Sequence, residues 1–264
     1  MYTFSYQKPS SVADAVATLT GDDDAKVVAG GMTLIPTLKQ RLAQPSALVD
    51  LGSVPGLTGI RRDGDALVIG AMTTHATVAA DATVRSALPA LAALAGGIGD
   101  PAVRHRGTCG GSVANADPAA DYPAAVVGLG GTVITDRREI AGDDFFTGLF
   151  ETALEPGEII TALRFPIPKR AGYAKFRNPA SRYAVVGVMV AETAAGIRVA
   201  VTGAGASVFR VAAMEQALGG TFSPAALDGI RIEADDLNTD LHASAEYRAH
   251  LVTVMARRAV EAAS

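Results

Sequence analysis

The sequence of 264 residues contains one cysteine and four histidines. A single cysteine, Cys109, rules out an intrachain disulfide and suits a reducing compartment, so a cytoplasmic location is expected. It also rules out an iron–sulfur cluster of the common four-thiolate kind on this chain. His75, His105, His242 and His250 show no metal-ligand spacing such as His-Glu-x-x-His. Any redox chemistry must therefore be carried by an organic cofactor. No apolar run approaches the roughly 20 residues of a membrane-spanning helix, so no transmembrane segment is expected. Met1 to Tyr6 lacks a basic region followed by an apolar core, so no signal peptide is expected either. The net charge of −4 provides no general attraction to nucleic acid or an anionic membrane. Walker loops and Gly-x-Ser-x-Gly elbows are absent as well.

The chain does have enough apolar residues, 49%, and enough length to build one large core or two smaller ones. Ser11-Val12-Ala13-Asp14 reads as a capping box opening a helix, and Lys26–Ala29 as a buried strand running into Gly30-Gly31. Thr33 can cap the next helix. A second strand is expected at Ala47–Leu51, and a hairpin around Arg62-Asp63-Gly64-Asp65. An alanine-rich helix is expected from about Thr83 to Ala95. Asp121 can cap a helix starting at Tyr122-Pro123. Short strands at Thr132–Thr135 and Glu158–Phe165 bracket a Phe145-Phe146 turn. Pro166-Ile167-Pro168 marks a domain boundary, because proline resists both helix and central strand. Beyond it come strands at Tyr183–Glu192 and Ile197–Thr202, a helix from Ser207 to Leu218, and a last helix from Ser244 with Tyr247, Leu251, Val254 and Met255 on one face.

Two glycine loops hold the chemistry. Ala29-Gly30-Gly31-Met32-Thr33 and Thr108-Cys109-Gly110-Gly111-Ser112 each end near a helix start, where accessible N–H groups favour phosphate. Glycine also lets backbone approach a ligand closely. The expectation is that the two loops meet and grip one ligand; the plain alternative is a pair of turns with no ligand. Gly203-Ala204-Gly205-Ala206-Ser207-Val208 looks like a dinucleotide fingerprint but has Val208 where the third glycine belongs, and it follows a hairpin, so a structural turn is expected. Asp117 and Asp121 fit capping or ligand hydroxyl binding better than acid–base catalysis, and Cys109 fits a small loop residue better than a nucleophile. Spacing does not decide whether Tyr173 and Tyr183 are core or stacking residues.

These loops, with Ala116-Asp117-Pro118-Ala119-Ala120-Asp121, Phe145-Phe146-Thr147-Gly148, Leu154-Glu155-Pro156-Gly157-Glu158, Arg177-Asn178-Pro179-Ala180-Ser181-Arg182-Tyr183 and Ala243-Ser244-Ala245-Glu246-Tyr247-Arg248, carry a family signal. Together they resemble the FAD-binding medium subunit of molybdenum hydroxylases. The likeness is to the aerobic carbon monoxide dehydrogenase type, related to the flavin domain of xanthine dehydrogenase. The resemblance implies an α+β chain. A two-lobed FAD-binding domain of the vanillyl-alcohol-oxidase/PCMH type is expected over residues 1–168, with lobes 1–56 and 57–168. A small α+β C-terminal domain is expected over residues 169–264.

The resemblance also implies a site and a setting. Ala29, Gly30, Gly31, Met32 and Thr33, together with Thr108, Gly110, Gly111 and Ser112, would bind the FAD pyrophosphate through backbone N–H groups. Asp121 would bond the sugar part, Ile160 would lie beside the adenine, Lys175 near the flavin, and Tyr183 against the isoalloxazine. Many members have His-Ser where this chain has Met32-Thr33, and Asn where it has Ser112. The implied function is electron transfer. A large subunit with a molybdenum-pterin cofactor hydroxylates a substrate, a small subunit with 2Fe–2S clusters relays electrons, and FAD on this chain delivers them to an external acceptor. A dimer of heterotrimers is the implied assembly. A self-contained flavin oxidoreductase and a non-redox nucleotide-binding module remain the alternatives.

Overall fold

The computed structural model describes residues 1–263. Among the described residues, three larger sheets, each with its own helical cover, follow one another along the chain. The first lobe contains β1 (Ser5–Gln7), α1 (Val12–Gly21), β2 (Lys26–Val28), α2 (Leu34–Lys39) and β3 (Ala47–Asp50), with the strands parallel in the order β1-β3-β2. Ser11 caps α1 as expected, its Oγ accepting from Asp14 N at 3.0 Å. That helix lays Val12, Val16 and Leu19 on Val49 and Leu51.

The second lobe opens with the hairpin of β4 (Ile60–Asp63) and β5 (Ala66–Gly70), turning at Gly64-Asp65. Then come α3 (His75–Ala80), α4 (Ala82–Ala87), α5 (Pro89–Gly96), α6 (Pro101–Arg106), α7 (Cys109–Asn115) and α8 (Tyr122–Gly128). The lobe closes with β6 (Thr132–Thr135), β7 (Glu139–Ala141), the short α9 (Gly142–Phe145), the hairpin of β8 (Phe146–Gly148) and β9 (Glu151–Thr152), and β10 (Ile160–Pro166). Its antiparallel sheet runs β4-β5-β10-β6-β7. The single helix expected over Thr83–Ala95 is two helices. Pro89 bars Leu88 from helical geometry, and Leu88 sits at φ −150°, ψ 66°.

The last sheet runs β11 (Arg170–Arg177), β12 (Ala184–Thr193), β13 (Gly196–Thr202) and β14 (Phe209–Arg210), followed by α10 (Ala212–Gly220) and α11 (Ala245–Glu261). Strand β12 explains its own apolar run. Met189 and Ala191 pack into the second lobe's core with α8, while Val188 and Val190 pack under α11. Alternation along one strand thus serves two cores, and every position from Ala184 to Ala191 is buried and apolar. The helix expected from Ser207 begins only at Ala212, because Phe209-Arg210 pairs with Val201 and Ala200 first. On α11 the expected face is displaced: Leu251 and Met255 are buried, with Val252, Ala256 and Ala259, but Tyr247 is exposed.

Candidate cofactor site

The first glycine loop leaves β2 and enters α2 through Gly31, whose φ of +72° is left-handed backbone that only glycine adopts freely. Ile35 N donates back to Gly31 O and Thr37 N to Thr33 O, at 3.0 and 3.2 Å. Thr33 does not cap the helix with its side chain; its own backbone is already helical, at φ −104°, ψ −50°. Among the described residues, no carbonyl or side chain accepts from the N–H groups of Gly30, Gly31, Met32 or Thr33. Four consecutive unengaged donors in a turn make a concavity suited to an anion.

The second loop is built differently. Thr108 caps α7, with Oγ1 accepting from Gly111 N at 3.1 Å, and Ser112 N donates to Thr108 O at 3.0 Å. Cys109 N and Gly110 N donate to Thr73 O and Ala71 O at 3.0 and 2.9 Å. The accessible N–H groups expected of Gly110, Gly111 and Ser112 are therefore engaged within the chain, because α7 is stitched onto the segment that leads into α3. This loop contributes shape, along with the half-buried Ser112 hydroxyl.

The two loops do meet. A Cβ built on Gly30 would lie 2.1 Å from Arg106 O and 2.7 Å from Gly107 Cα, and one on Gly111 would lie 3.3 Å from Ala29 Cβ. Gly30 is thus where one loop's backbone passes directly over the other's. Tyr183 joins them from the C-terminal sheet. It is 42% exposed, with its hydroxyl beside Thr33. Burial of the phenol end pushes its pKa up, with the charges of Asp117 and Asp121 acting the same way and the Thr33 hydroxyl opposing them.

Asp121 stands at the start of α8 without capping it. Its carboxylate is buried and spent elsewhere. Lys175 Nζ lies 2.9 and 3.0 Å from Oδ1 and Oδ2, and Tyr173 Oη donates to Oδ1 at 2.5 Å. Burial pushes its carboxyl above the ordinary range, while Lys175 and Tyr173 pull it down. Ile160 opens β10 and is only 5% exposed, inside the core that also holds Cys109 and Val113. The Cys109 thiol is pushed up to about 12 by burial and is protonated at neutral pH, so it is no nucleophile. Gly203 is a structural turn. Its N–H donates to Pro118 O at 2.7 Å and its Cβ position is filled by Ala184 O.

Residues not anticipated from sequence also shape the site. The His75 ring lies under Gly107 and 5.4 Å from the Tyr122 ring. His75 Nδ1 and Tyr122 Oη are buried without partners. Burial, helped by the charge of Arg104, lowers the imidazole pKa to about 4, so it is neutral at physiological pH. Arg182 takes a left-handed φ of +63° just before Tyr183. Only its place after an Asn-Pro turn hinted at irregular backbone there.

Comparison with known proteins identifies the ligand that fits this cradle. The profile of the FAD binding domain in molybdopterin dehydrogenase matches residues 2–168, and that of the CO dehydrogenase flavoprotein C-terminal domain matches residues 171–263. The chain belongs to the FAD subunits of the molybdopterin dehydrogenase family. It is 39% identical to the nicotine 6-hydroxylase medium subunit of Paenarthrobacter nicotinovorans over 269 residues, covering 97% of this chain and 95% of that one. It is 38% identical to the carbon monoxide dehydrogenase medium chain of Afipia carboxidovorans, covering 99% and 96%. The crystal structure of the Cu,Mo-CO dehydrogenase in its cyanide-inactivated form contains a chain that superposes with a TM-score of 0.90 at 35% identity, covering 98% of this chain and 96% of that one. As a medium FAD subunit of this oxidoreductase family, the chain has FAD as its cofactor and works within a multi-subunit complex. The unengaged N–H row at Gly30–Thr33 and the glycine-only crossing at Gly30 fit the pyrophosphate of that cofactor. No described helix is long and apolar enough to cross a membrane.

Proposed function

We propose that the chain holds FAD across the contact of its two glycine loops and serves as the outlet for electrons in a molybdenum hydroxylase complex. The observation that carries this reading is the Gly30 crossing, where Gly30 packs on Arg106 and Gly107 and opens a run of four unengaged donors, Gly30 to Thr33. When bound, FAD would supply the redox chemistry that links 2Fe–2S clusters on a small partner subunit, fed by a molybdenum-pterin large subunit, to an external acceptor, with Gly30 to Thr33 holding it.

The chain's residues bind, orient and shield. Gly30, Gly31, Met32 and Thr33 offer N–H groups to the pyrophosphate, with Ala29 and Gly111 closing the crossing behind them. Thr108 and Gly110 hold the second loop rigid by their bonds to Gly111, Thr73 and Ala71, and Ser112 adds a hydroxyl. Tyr183 supplies a ring face for the isoalloxazine. A cavity of about 280 Å³, lined by Asp117, Asn178, Tyr183, Asp240, His242 and Arg248, gives an acceptor a route to Tyr183. The division at residue 168 separates the cofactor-binding part from the part that presents Tyr183.

The assembly proposed is a dimer of heterotrimers in the cytoplasm. The hydroxylated substrate is set by the large subunit. The name of one relative specifies nicotine and that of another carbon monoxide, and a similar structure is a quinoline 2-oxidoreductase from Pseudomonas putida 86. The test is to purify the complex with its partners, remove FAD, and add it back. Electron delivery to an external acceptor should be lost with FAD and restored at one FAD per medium chain. Full delivery in the FAD-free complex would overturn the proposal.

A further inference from the structure

The resemblance puts Lys175 beside the flavin, but its ammonium has no donor left to give. An ammonium has three N–H groups. Here they reach Gly97 O at 3.0 Å, Asp121 Oδ2 at 3.0 Å and Arg182 O at 2.9 Å, and the side chain is only 7% exposed. One of those acceptors is the carbonyl immediately before Tyr183.

That carbonyl belongs to a residue that does not hold its conformation unaided. Arg182 is a non-glycine residue in left-handed backbone, in the loop that joins β11 to β12 just beyond a register shift at Phe176/Arg177. Apart from Lys175, the contacts around it are local or peripheral. Arg182 N donates to Asn178 O at 2.9 Å, Tyr183 N to Ser181 Oγ at 3.3 Å, and Arg182 Nη1 to Gly99 O at 3.2 Å. Lys175 ties this loop to the buried Asp121 carboxylate that Tyr173 also holds, while the buried Asn178, whose N–H donates to Tyr183 O at 2.8 Å, closes the loop on itself. The connection reaches the second glycine loop as well, since Arg104 of α6 donates to Ile98 O and Gly99 O beside the Gly97 anchor, and α6 runs into Arg106-Gly107.

We infer that Lys175 is a positioning residue: seated on Asp121, it grips the Arg182 carbonyl and thereby fixes where Tyr183 stands. The placement of Tyr183 follows from the chain's own contacts; only its consequence for the flavin rests on the function proposed above. Lys175 sets where the ring stands and does not itself meet the cofactor.

The test uses the full-length chain without FAD, labelled with ¹³C at the tyrosine ring carbons, with the Tyr183 signal assigned by Tyr183→Phe. Asp117, Asp121 and Thr33 are the groups that face this phenol, and its titration midpoint reports whether it stays among them. Because Lys175→Met alone leaves a buried carboxylate unpaired, the main variant is Lys175→Met with Asp121→Asn, which removes both charges together. Since the Asp121 charge itself raises this pKa, Asp121→Asn alone, which keeps Lys175 on the Arg182 carbonyl, gives the electrostatic part. The expected result is a Tyr183 midpoint that falls clearly further in the double variant than in Asp121→Asn. Amide exchange over residues 179–184 should rise by about tenfold or more, while β12 and β13 keep their protection. Tyr173→Phe, which leaves Lys175 on Arg182, should leave Tyr183 where it is. A Tyr183 midpoint in the double variant equal to that of Asp121→Asn, or loosening shared equally by β12 and β13, would overturn the inference. So would a Tyr173→Phe variant that moves Tyr183 as far as the double variant does. Since no FAD is present, failure here is distinct from failure of the flavin-binding reading.

Discussion

Replacing Gly30 with alanine adds one methyl group at the point where the two glycine loops touch. That methyl would sit 2.1 Å from Arg106 O, 2.7 Å from Arg106 C and 2.7 Å from Gly107 Cα. Carbon contacts are comfortable from about 3.5 Å, so the loops must part by roughly 1 Å. All three obstructing atoms are backbone, and no rotamer change can clear them. Overpacking of this kind costs about 1–3 kcal/mol. At about 2 °C per kcal/mol for a chain of this size, Tm should fall by about 2–6 °C. The effect on the cofactor should be larger relative to its binding energy. Loss of one hydrogen bond to a charged phosphate costs about 1.5–3 kcal/mol, which weakens FAD binding about 10- to 100-fold. The assay is FAD per chain after gel filtration, with a fluorescence titration for affinity and a thermal melt for stability. A Gly30→Ala chain with wild-type affinity and wild-type Tm would show that the loops do not cross as described.

Three further outcomes are expected. Tyr183→Ala should keep FAD but shift its midpoint potential, and an unaltered potential in a spectroelectrochemical titration would count against the ring's stacking role. His75, with its folded pKa lowered from 6.5 to about 4, contributes stability that is fully present above pH 6.5 and lost as pH falls towards 4. Urea unfolding should therefore show a loss of about 2–3 kcal/mol from this group between pH 7 and pH 4.5, and His75→Phe should flatten that slope. Glu158, whose side chain is fully buried, accepts from Arg138 at 3.0 and 2.9 Å and from Thr135 at 2.8 Å, and its pKa is lowered from 4.5 to about 2. Its contribution is present above pH 4.5 and fades as pH falls towards 2. Glu158→Gln should cost roughly 2 kcal/mol at pH 7 and less at pH 3, the partial exposure of Arg138 limiting the figure; equal costs at both pH values would refute the ion pair's role.

Legibility in the sequence followed the range of the interactions involved. The Ser11 cap, the Gly64-Asp65 hairpin and the β12–β13 hairpin are local, and all three stand where residue pattern puts them. Their determinants lie within a few residues of one another. The Thr33 and Asp121 caps fail for reasons no window can contain. Asp121 is claimed by Lys175 and Tyr173, more than 50 residues away. Thr33 is already helical, its backbone at φ −104°, ψ −50° leaving no room for an N-cap geometry. Likewise, the second loop reads as a row of free donors until Thr73 and Ala71 are seen to accept from it. Glycine pairs identify a close approach, but they do not reveal whether the approaching partner is a ligand or the chain itself. At Gly30 and Gly110 the close partner is the chain, and at Gly30 to Thr33 the unengaged donors remain for the ligand.

The central claim, that electrons leave the complex through FAD held at the loop crossing, is tested most directly by stopped-flow absorbance on the complex purified with its partner subunits. Reduction of the partner's 2Fe–2S clusters should be followed by bleaching of one FAD per medium chain, and the bands should return on adding the acceptor. A flavin that stays oxidised while the clusters are reduced, or a complex with no flavin that still passes electrons to the acceptor, would contradict the account.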